Sequence, residues 1–478
     1  MQAFLDKITE INGSINGVVW GPIMLVLIVG AGIYLTARTG FLQAGKFGFM
    51  WRNTIGSLFG KNKTKSKKDS KNVTPFQAVS TALASTVGVG NVAGVAGAIA
   101  VGGVGAVFWM WISAFFGMAT KYSEIVLAVK FRQVDENGVH YGGPMYYIEK
   151  GLGKSWKWLA CVFALFGGIA SFGIGNATQA AEISVAVNSL TGSGYDSSVI
   201  TGIVLALITA VVVIGGIKRI STITSYLVPF MALFYIIGGV GIILLNISLV
   251  PAAFAKIFSQ AFSFQAVGGG IGGYVIMQAM KNGVARGVFS NEAGLGSAPI
   301  AHAASSEKEP VKQGLWGIFE VFIDTIVICS ITGIVVVLAG IYDDGLTGGA
   351  LTAASFTSLV GPWGGTFVRV ALLLFALSTI LGWSYYGETC WGYLTKNNKT
   401  VKYIYKFIFV LIVFVGAISS SSNVLSDTSR LKLAWDIADT LNGLMAIPNL
   451  IGLLLLSGVV AKLTKDYFSR QKLSPKVK

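Results

Sequence analysis

The stretch Thr74-Pro75-Phe76-Gln77-Ala78-Val79-Ser80-Thr81-Ala82-Leu83-Ala84-Ser85-Thr86-Val87-Gly88-Val89-Gly90-Asn91-Val92-Ala93-Gly94 begins as a helix and is a poor candidate to continue as one. Pro75 stands near the start, where a missing N–H costs little. The middle gathers Ser85, Thr86, Gly88, Gly90 and Asn91, which together disfavour an uninterrupted helix. Apolar residues on both sides make 74–100 long enough to cross a bilayer. A second span, 264–303, has Gly268, Gly269, Gly270, Gly272 and Gly273, then Gln278, Asn282, Gly283 and Gly287, with Lys281, Arg286 and Glu292. At about 40 residues it exceeds the roughly 20 that span, so a break or an amphipathic extension absorbs the rest. Taken singly, either glycine cluster reads as close helix packing. Gly90 with Gly94 and Ala93 with Gly97 form small-xxx-small pairs.

The rest of the chain explains why such spans belong in lipid. Of 478 residues, 53% are hydrophobic and only 12% charged. Mean hydropathy is +0.69. A soluble domain carries about 25% charged residues, so an ordinary cytosolic enzyme and most secreted proteins are excluded. The composition is that of an all-α polytopic membrane protein. The 61 glycines suit helices that pack through small residues. Eleven spans are expected: 18–37, 74–100, 105–131, 156–190, 197–214, 222–247, 264–303, 313–340, 364–394, 401–420 and 433–462. The first is too long for a signal peptide and lacks a basic leader, so it reads as a retained helix.

The net charge of +15 resides in loops. Residues 38–73 hold nine cations against Asp69 alone, and alternate loops hold the remaining excess. The other loops carry Lys256, Arg430 and Lys432 beside Asp196, Asp343, Asp344 and Asp427. By the positive-inside rule the N-terminus lies outside and the C-terminus in the cytoplasm of a multi-pass plasma-membrane protein. No nucleic-acid partner is needed to explain the charge, and the lipid bilayer is the expected partner. A monomer is expected. Cys161, Cys329 and Cys390 fall in apolar runs without metal spacing, and there are only two histidines, His140 and His302. Neither a disulfide framework nor a histidine-based catalytic site follows.

The expected organisation is an extra helix with a basic linker (1–73), a five-helix half (74–247), an outer connection (248–263), a second five-helix half (264–462) and a basic tail (463–478). Each half begins with an interrupted span, and the charge pattern gives the halves opposite orientation. Backbone left unpaired in hydrocarbon costs several kcal/mol per group unless it lines a cavity. Paired broken helices in inverted halves therefore point to a transporter site, where freed N–H groups face an anion and freed carbonyls face a cation. A channel would want rings of like residues or a repeated filter loop, which are missing. An intramembrane enzyme would want a Ser/His, paired Asp or HExxH pattern, and none is present; no enzyme is expected.

The run Gly102-Gly103-Val104-Gly105-Ala106-Val107-Phe108-Trp109-Met110-Trp111-Ile112-Ser113-Ala114-Phe115-Phe116-Gly117 resembles the signature of the alanine/glycine:cation symporter family. Ser290-Asn291-Glu292-Ala293-Gly294-Leu295-Gly296-Ser297-Ala298-Pro299 resembles a second block of it, and the likeness covers essentially the whole chain. The resemblance implies Na+-coupled symport of alanine and glycine, no cofactor beyond the coupling ion, and a leucine-transporter-like fold of the APC superfamily: a 5+5 inverted repeat after one extra helix. It implies that Ser85, Thr86, Gly88, Gly90 and Asn91 face the substrate, whose carboxylate meets amides near Gly88 and Gly90. The Ala84, Val87 and Phe375 carbonyls and the Ser378 and Thr379 hydroxyls would hold Na+. Gln278 and Asn282 would meet the substrate ammonium, and Phe172 and Trp383 would cap its side chain. The same fold with H+ as coupling ion is the alternative, since a buried carboxylate such as Asp324 suits a proton.

Ionisable groups inside spans are functional candidates. Glu320 and Asp324 share a helix face and fit a second cation or proton site, or a pairing with Arg286 or Lys281. Arg286 and Glu292 fit a gating or packing network. Lys121 and Glu124 are spaced to pair with each other. Glu182 fits an outer gate, and Gln179 and Asn176 line a path or join helices.

Overall fold

The computed structural model describes residues 2–59, 71–192, 196–262, 271–421 and 429–473, and these are almost entirely helical. Among them, eight helices are long and apolar enough to cross a membrane, from Asp6–Arg38 to Asp436–Leu455. A ninth crossing is the pair Pro75–Thr86 and Gly90–Gly102, bent by 51° at its break. Two of the eleven expected spans fall short of that standard. Ser198–Ile214 has only 17 residues, and Ile271–Asn291 carries Gln278, Lys281, Asn282 and Arg286 along its length. The expected outer connections contain the short helices Val250–Ala261 and Gly348–Val360. The 132–155 loop is more ordered than its sequence suggests. It holds a hairpin pairing Gln133–Val134 with His140–Tyr141, then the helix Pro144–Leu152.

Local chemistry sets the first break. Thr74 and Gln77 form a reciprocal cap, with Gln77 N–H donating to Thr74 Oγ1 at 3.2 Å and Thr74 N–H to Gln77 Oε1 at 3.0 Å. The helix ends at Thr86, and Val87 turns extended with ψ 92°. Beyond Gly90 the chain resumes as a π-turn, Gly90–Gly94, and then an α-helix, Val95–Gly102.

Among the described residues the 264–303 span breaks toward its far end. Ile271–Asn291 is one continuous helix through Gly272, Gly273, Gly283 and Gly287, while 268–270 lie outside the described residues. Gly283 and Gly287 serve packing. A Cβ on Gly283 would stand 2.3 Å from the Ala106 carbonyl, and one on Gly287 2.1 Å from Ser113 Oγ, so these glycines let the helix lie directly on Ala106–Lys130. The helix breaks at 292–297, where Glu292 (φ 55°), Gly294 (φ 94°) and Gly296 (φ 84°) are left-handed, and resumes as Ala298–Ala303. The Glu-Ala-Gly-Leu-Gly of the second family-like block is thus the break itself.

A buried polar network closes one end of the bundle. Lys121 Nζ lies 3.4 Å from Glu320 Oε1, and His302 Nε2 lies 2.9 Å from Glu320 Oε2, all fully buried. Gln313 bridges His302 to Ser305, whose carbonyl accepts from Arg132 at 2.8 Å. Glu320 therefore pairs with Lys121 and His302 rather than with Arg286 or Lys281. Lys121 turns to Glu320 rather than to Glu124 one turn away.

Candidate cation and substrate site

The first break frees backbone groups because a side chain replaces one of its partners. Gly88 N–H would reach the Ala84 carbonyl in a continuous helix. It donates instead to Asn91 Oδ1 at 2.8 Å, and the Ala84 carbonyl is released. Across the gap stands the Pro362–Leu394 helix. Ser378 Oγ lies 2.8 Å from the Phe375 carbonyl, 3.1 Å from Ala84 and 3.4 Å from Val87. One hydroxyl carries one proton, so the Ala84 and Val87 carbonyls released at the break converge with that of Phe375 on a donor that can satisfy only one of them. Such a set of hard oxygens around a spot short of positive charge is what a cation takes. Thr379 Oγ1 bonds the Phe375 carbonyl at 3.0 Å and comes so near Gly88 that a Cβ there would meet it at 2.5 Å. Ser378 thus faces the carbonyls, while Thr379 faces the adjoining cavity.

That cavity has a volume of about 30 Å3. On this measure one water needs about 10–15 Å3, so it admits only a small group unless it widens. Ser85, Thr86, Gly88 and Gly90 line one wall, and Thr379 and Trp383 another. Among the described residues no carbonyl across the break accepts from the Val89 or Gly90 amide. Gln179 Oε1 points into the cavity without a partner, while its amide nitrogen holds the Ile174 carbonyl at 3.0 Å. The cavity's one charged lining group is Glu292, whose Oε1 accepts from Trp383 Nε1 at 3.1 Å and whose Oε2 accepts from Ser297. Trp383 lies flat across Gly175, where a Cβ would stand 2.2 Å from the ring. Gly175 belongs to a π-turn, Gly173–Ala177, that swings Ile174 and Gln179 to the cavity.

Four expected site residues lie elsewhere. Asn91 is fully buried behind the break. Its amide donates to Asp324 Oδ1 at 2.7 Å, so it supports the wall and does not line it. Asp324, presented by the π-segment Phe322–Cys329, also accepts from Ser290 at 2.9 Å and Thr325 at 2.7 Å. With Gly88 N–H spent on Asn91, the freed amides are those of Val89 and Gly90. Phe172 precedes the π-turn, which rotates it away onto Tyr405 and Phe409, at ring separations of 5.2 and 6.3 Å. Gln278 and Asn282 lie three to four turns before the second break. Asn282 faces Gly102, where a Cβ would meet Asn282 Cβ at 2.8 Å, and its amide donates to the Gln278 carbonyl at 2.9 Å. Because the helix stays intact that far, the residues it delivers to the cavity are Phe289, Ser290 and Glu292. Asn442 joins from the Ser429–Leu444 helix, which the sequence offered no reason to single out. Of the path candidates, Gln179 lines the cavity, while Asn176 donates to the Phe409 carbonyl at 2.8 Å.

Comparison with known proteins shows the family and the fold. A family model described as the sodium:alanine symporter family matches residues 5–478. The sodium/alanine symporter AgcS of Methanococcus maripaludis is 50% identical over 469 residues, covering 97% of this chain and 98% of that one. The probable sodium/glutamine symporter GlnT of Bacillus subtilis is 38% identical over 474 residues, covering 99% and 92%. In structure the chain is similar to MhsT in complex with L-phenylalanine, with TM-score 0.55 over 82% of this chain and 98% of that one. It is equally similar, at 0.55 over 93% and 98%, to a Na+-coupled sialic acid symporter. Both are 12% identical, so they speak to the fold alone, a helical transporter fold of the leucine-transporter kind. The chain belongs to the sodium:alanine symporter family.

Proposed function

We propose that this protein carries a small neutral amino acid, alanine or glycine, into the cell together with Na+ by alternating access. The observation that carries the reading is the convergence of the Ala84, Val87 and Phe375 carbonyls on the single hydroxyl of Ser378. Na+ would sit among these oxygens. The Val89 and Gly90 amides and Thr379 would receive the substrate carboxylate, and Gln179 Oε1 would accept from its ammonium. The small cavity and the Trp383 ring support a ligand with a methyl group or no side chain at all. The reading keeps the inverted halves 74–247 and 264–462, a monomer, and an outside N-terminus. The Lys121–Glu320–His302 network then closes the cytoplasmic side.

The driving force suffices for accumulation. One charge crossing about 100 mV yields roughly 2.3 kcal/mol. A tenfold Na+ gradient adds roughly 1.4 kcal/mol. The test is uptake into proteoliposomes. Alanine should accumulate under an imposed Na+ gradient, and glycine should compete. Accumulation that follows a pH gradient and ignores Na+ would put protons in place of sodium. No accumulation of any amino acid would remove the transport reading.

A further inference from the structure

A cavity of about 590 Å3 opens far from the site, between the Pro144–Leu152 helix, the start of the Lys157–Phe172 helix and the end of the Pro362–Leu394 helix. Its lining includes four ammonium groups, Lys150, Lys154, Lys157 and Lys396, against one carboxylate, Glu149. That carboxylate is already engaged. Lys157 Nζ lies 3.4 Å from its Oε1, and the Tyr393 hydroxyl donates to Oε2 at 2.6 Å. Lys154 and Lys396 are exposed and form no ion pair among the described residues. Burial holds the Lys150 ammonium below its ordinary pKa, a cost that a bound anion would offset.

Two further features shape what fits. Lys396 and Asn397 are consecutive non-glycine residues in the left-handed region, with φ 53° and 61°, a conformation that needs support from its surroundings. On the Lys157–Phe172 helix, Lys157, Cys161 and Leu165 follow at four-residue spacing and so share one face. Lys157 and Cys161 line the cavity, and Leu165 continues the stripe at 41% exposure. Trp158 beside it is 61% exposed, as an aromatic anchor at a membrane interface would be. The cavity therefore grades from a cationic rim to an apolar strip that runs along a membrane helix.

We propose that this cavity binds the phosphate headgroup of an anionic phospholipid, with an acyl chain along Cys161 and Leu165. Basic pockets between membrane helices suit such headgroups. Lys150 donates to the Arg132 carbonyl at 3.2 Å and Lys157 pairs with Glu149, which leaves the exposed Lys154 and Lys396 to meet the headgroup where all four border one hollow. A soluble phosphate would use the rim and have no use for the stripe. The bound lipid would touch the end of the helix that carries Ser378, Thr379 and Trp383.

Cys161 supplies a local readout, because Cys329 and Cys390 are buried. The full chain in nanodiscs of phosphatidylglycerol or of phosphatidylcholine would be labelled with N-ethylmaleimide. Labelling of Cys161 should be about fivefold slower in phosphatidylglycerol. The double variant Lys154→Ala/Lys396→Ala should label equally fast in both, and Lys154→Arg/Lys396→Arg should restore the difference. Equal rates for the natural chain in the two lipids overturn the proposal. So does slowing that persists in the alanine variant, which would reflect surface charge in general. Protection by millimolar inorganic phosphate in phosphatidylcholine nanodiscs would mark a soluble-anion site and overturn the lipid assignment.

Discussion

The two helix breaks differ in what happens to the backbone they release. At 292–297 side chains claim it. The Ala293 amide donates to Asn291 Oδ1 at 3.0 Å, and the Gly294 amide donates to Glu124 Oε1 at 3.0 Å. The Gly294 carbonyl accepts from Asn449 Nδ2 at 2.8 Å, and that same nitrogen lies 2.6 Å from Glu124. Tyr147 completes the set by donating to Asn449 Oδ1. At 87–89 the Val87 amide keeps the Leu83 carbonyl and the Gly88 amide is claimed by Asn91, while the released Ala84 and Val87 carbonyls share the one hydroxyl of Ser378. An interrupted helix is a ligand site only where released groups stay unclaimed; where side chains cap them, it is a joint in the scaffold.

This contrast can be broken experimentally. The largest effect is expected from Glu124→Ala, which strands two buried donors at the second break. Each stranded donor costs about 1–3 kcal/mol, and thermal unfolding in detergent should show the loss. Protein that remains folded should keep its Na+ requirement. If stability is unchanged, the second break does not depend on its caps. Ser378→Ala should act the other way, leaving stability nearly intact but raising the Na+ concentration for half-maximal alanine uptake by about tenfold, or ~1.4 kcal/mol. Wild-type Na+ dependence in this variant would move the cation elsewhere.

A smaller change is expected from Trp383→Phe, which keeps the ring but removes the indole donor to Glu292. With water taking the place of the indole beside Glu292, the net loss is that of an ordinary hydrogen bond, about 1 kcal/mol. It should appear as weaker alanine binding in a competition assay, with Na+ dependence retained. Least of all is expected from Gln278→Ala. Since this residue does not line the cavity, alanine uptake should stay within about twofold of normal, as for substitutions away from a site. A severe defect would return the ammonium contact to this helix.

Much of the first break was legible because its sequence departs from helix in several ways at once. Pro75, the small polar cluster and Gly88-Val89-Gly90-Asn91 all point to one place. Ser378 and Thr379 were legible as hydroxyls at mid-helix, but their division of labour was not. It depends on a rotation of about 100° per residue that only the packed helix fixes. The place of the second break was not legible, for a physical reason. Glycine in lipid serves both unwinding and close packing, and Gly283 and Gly287 serve the latter. Phe172 was displaced in register by the Gly173–Ala177 π-turn, which inserts a residue that no apolar period announces. Lys121 found its partner on another helix, and the pairing of Asn449 with Glu124 spans 325 positions; sequence spacing carries no trace of either.

Under the function proposed above, the lone proton of Ser378 also implies an order of loading. That hydrogen ties the serine to the carbonyls freed at Ala84 and Val87. An arriving Na+ would turn it aside and bridge the same oxygens itself, exchanging one weak, rotatable link for a multidentate latch. Thr379 and Gly88, which stand between latch and cavity, would then be set before the amino acid enters, so the ion prepares the seat and the passenger follows.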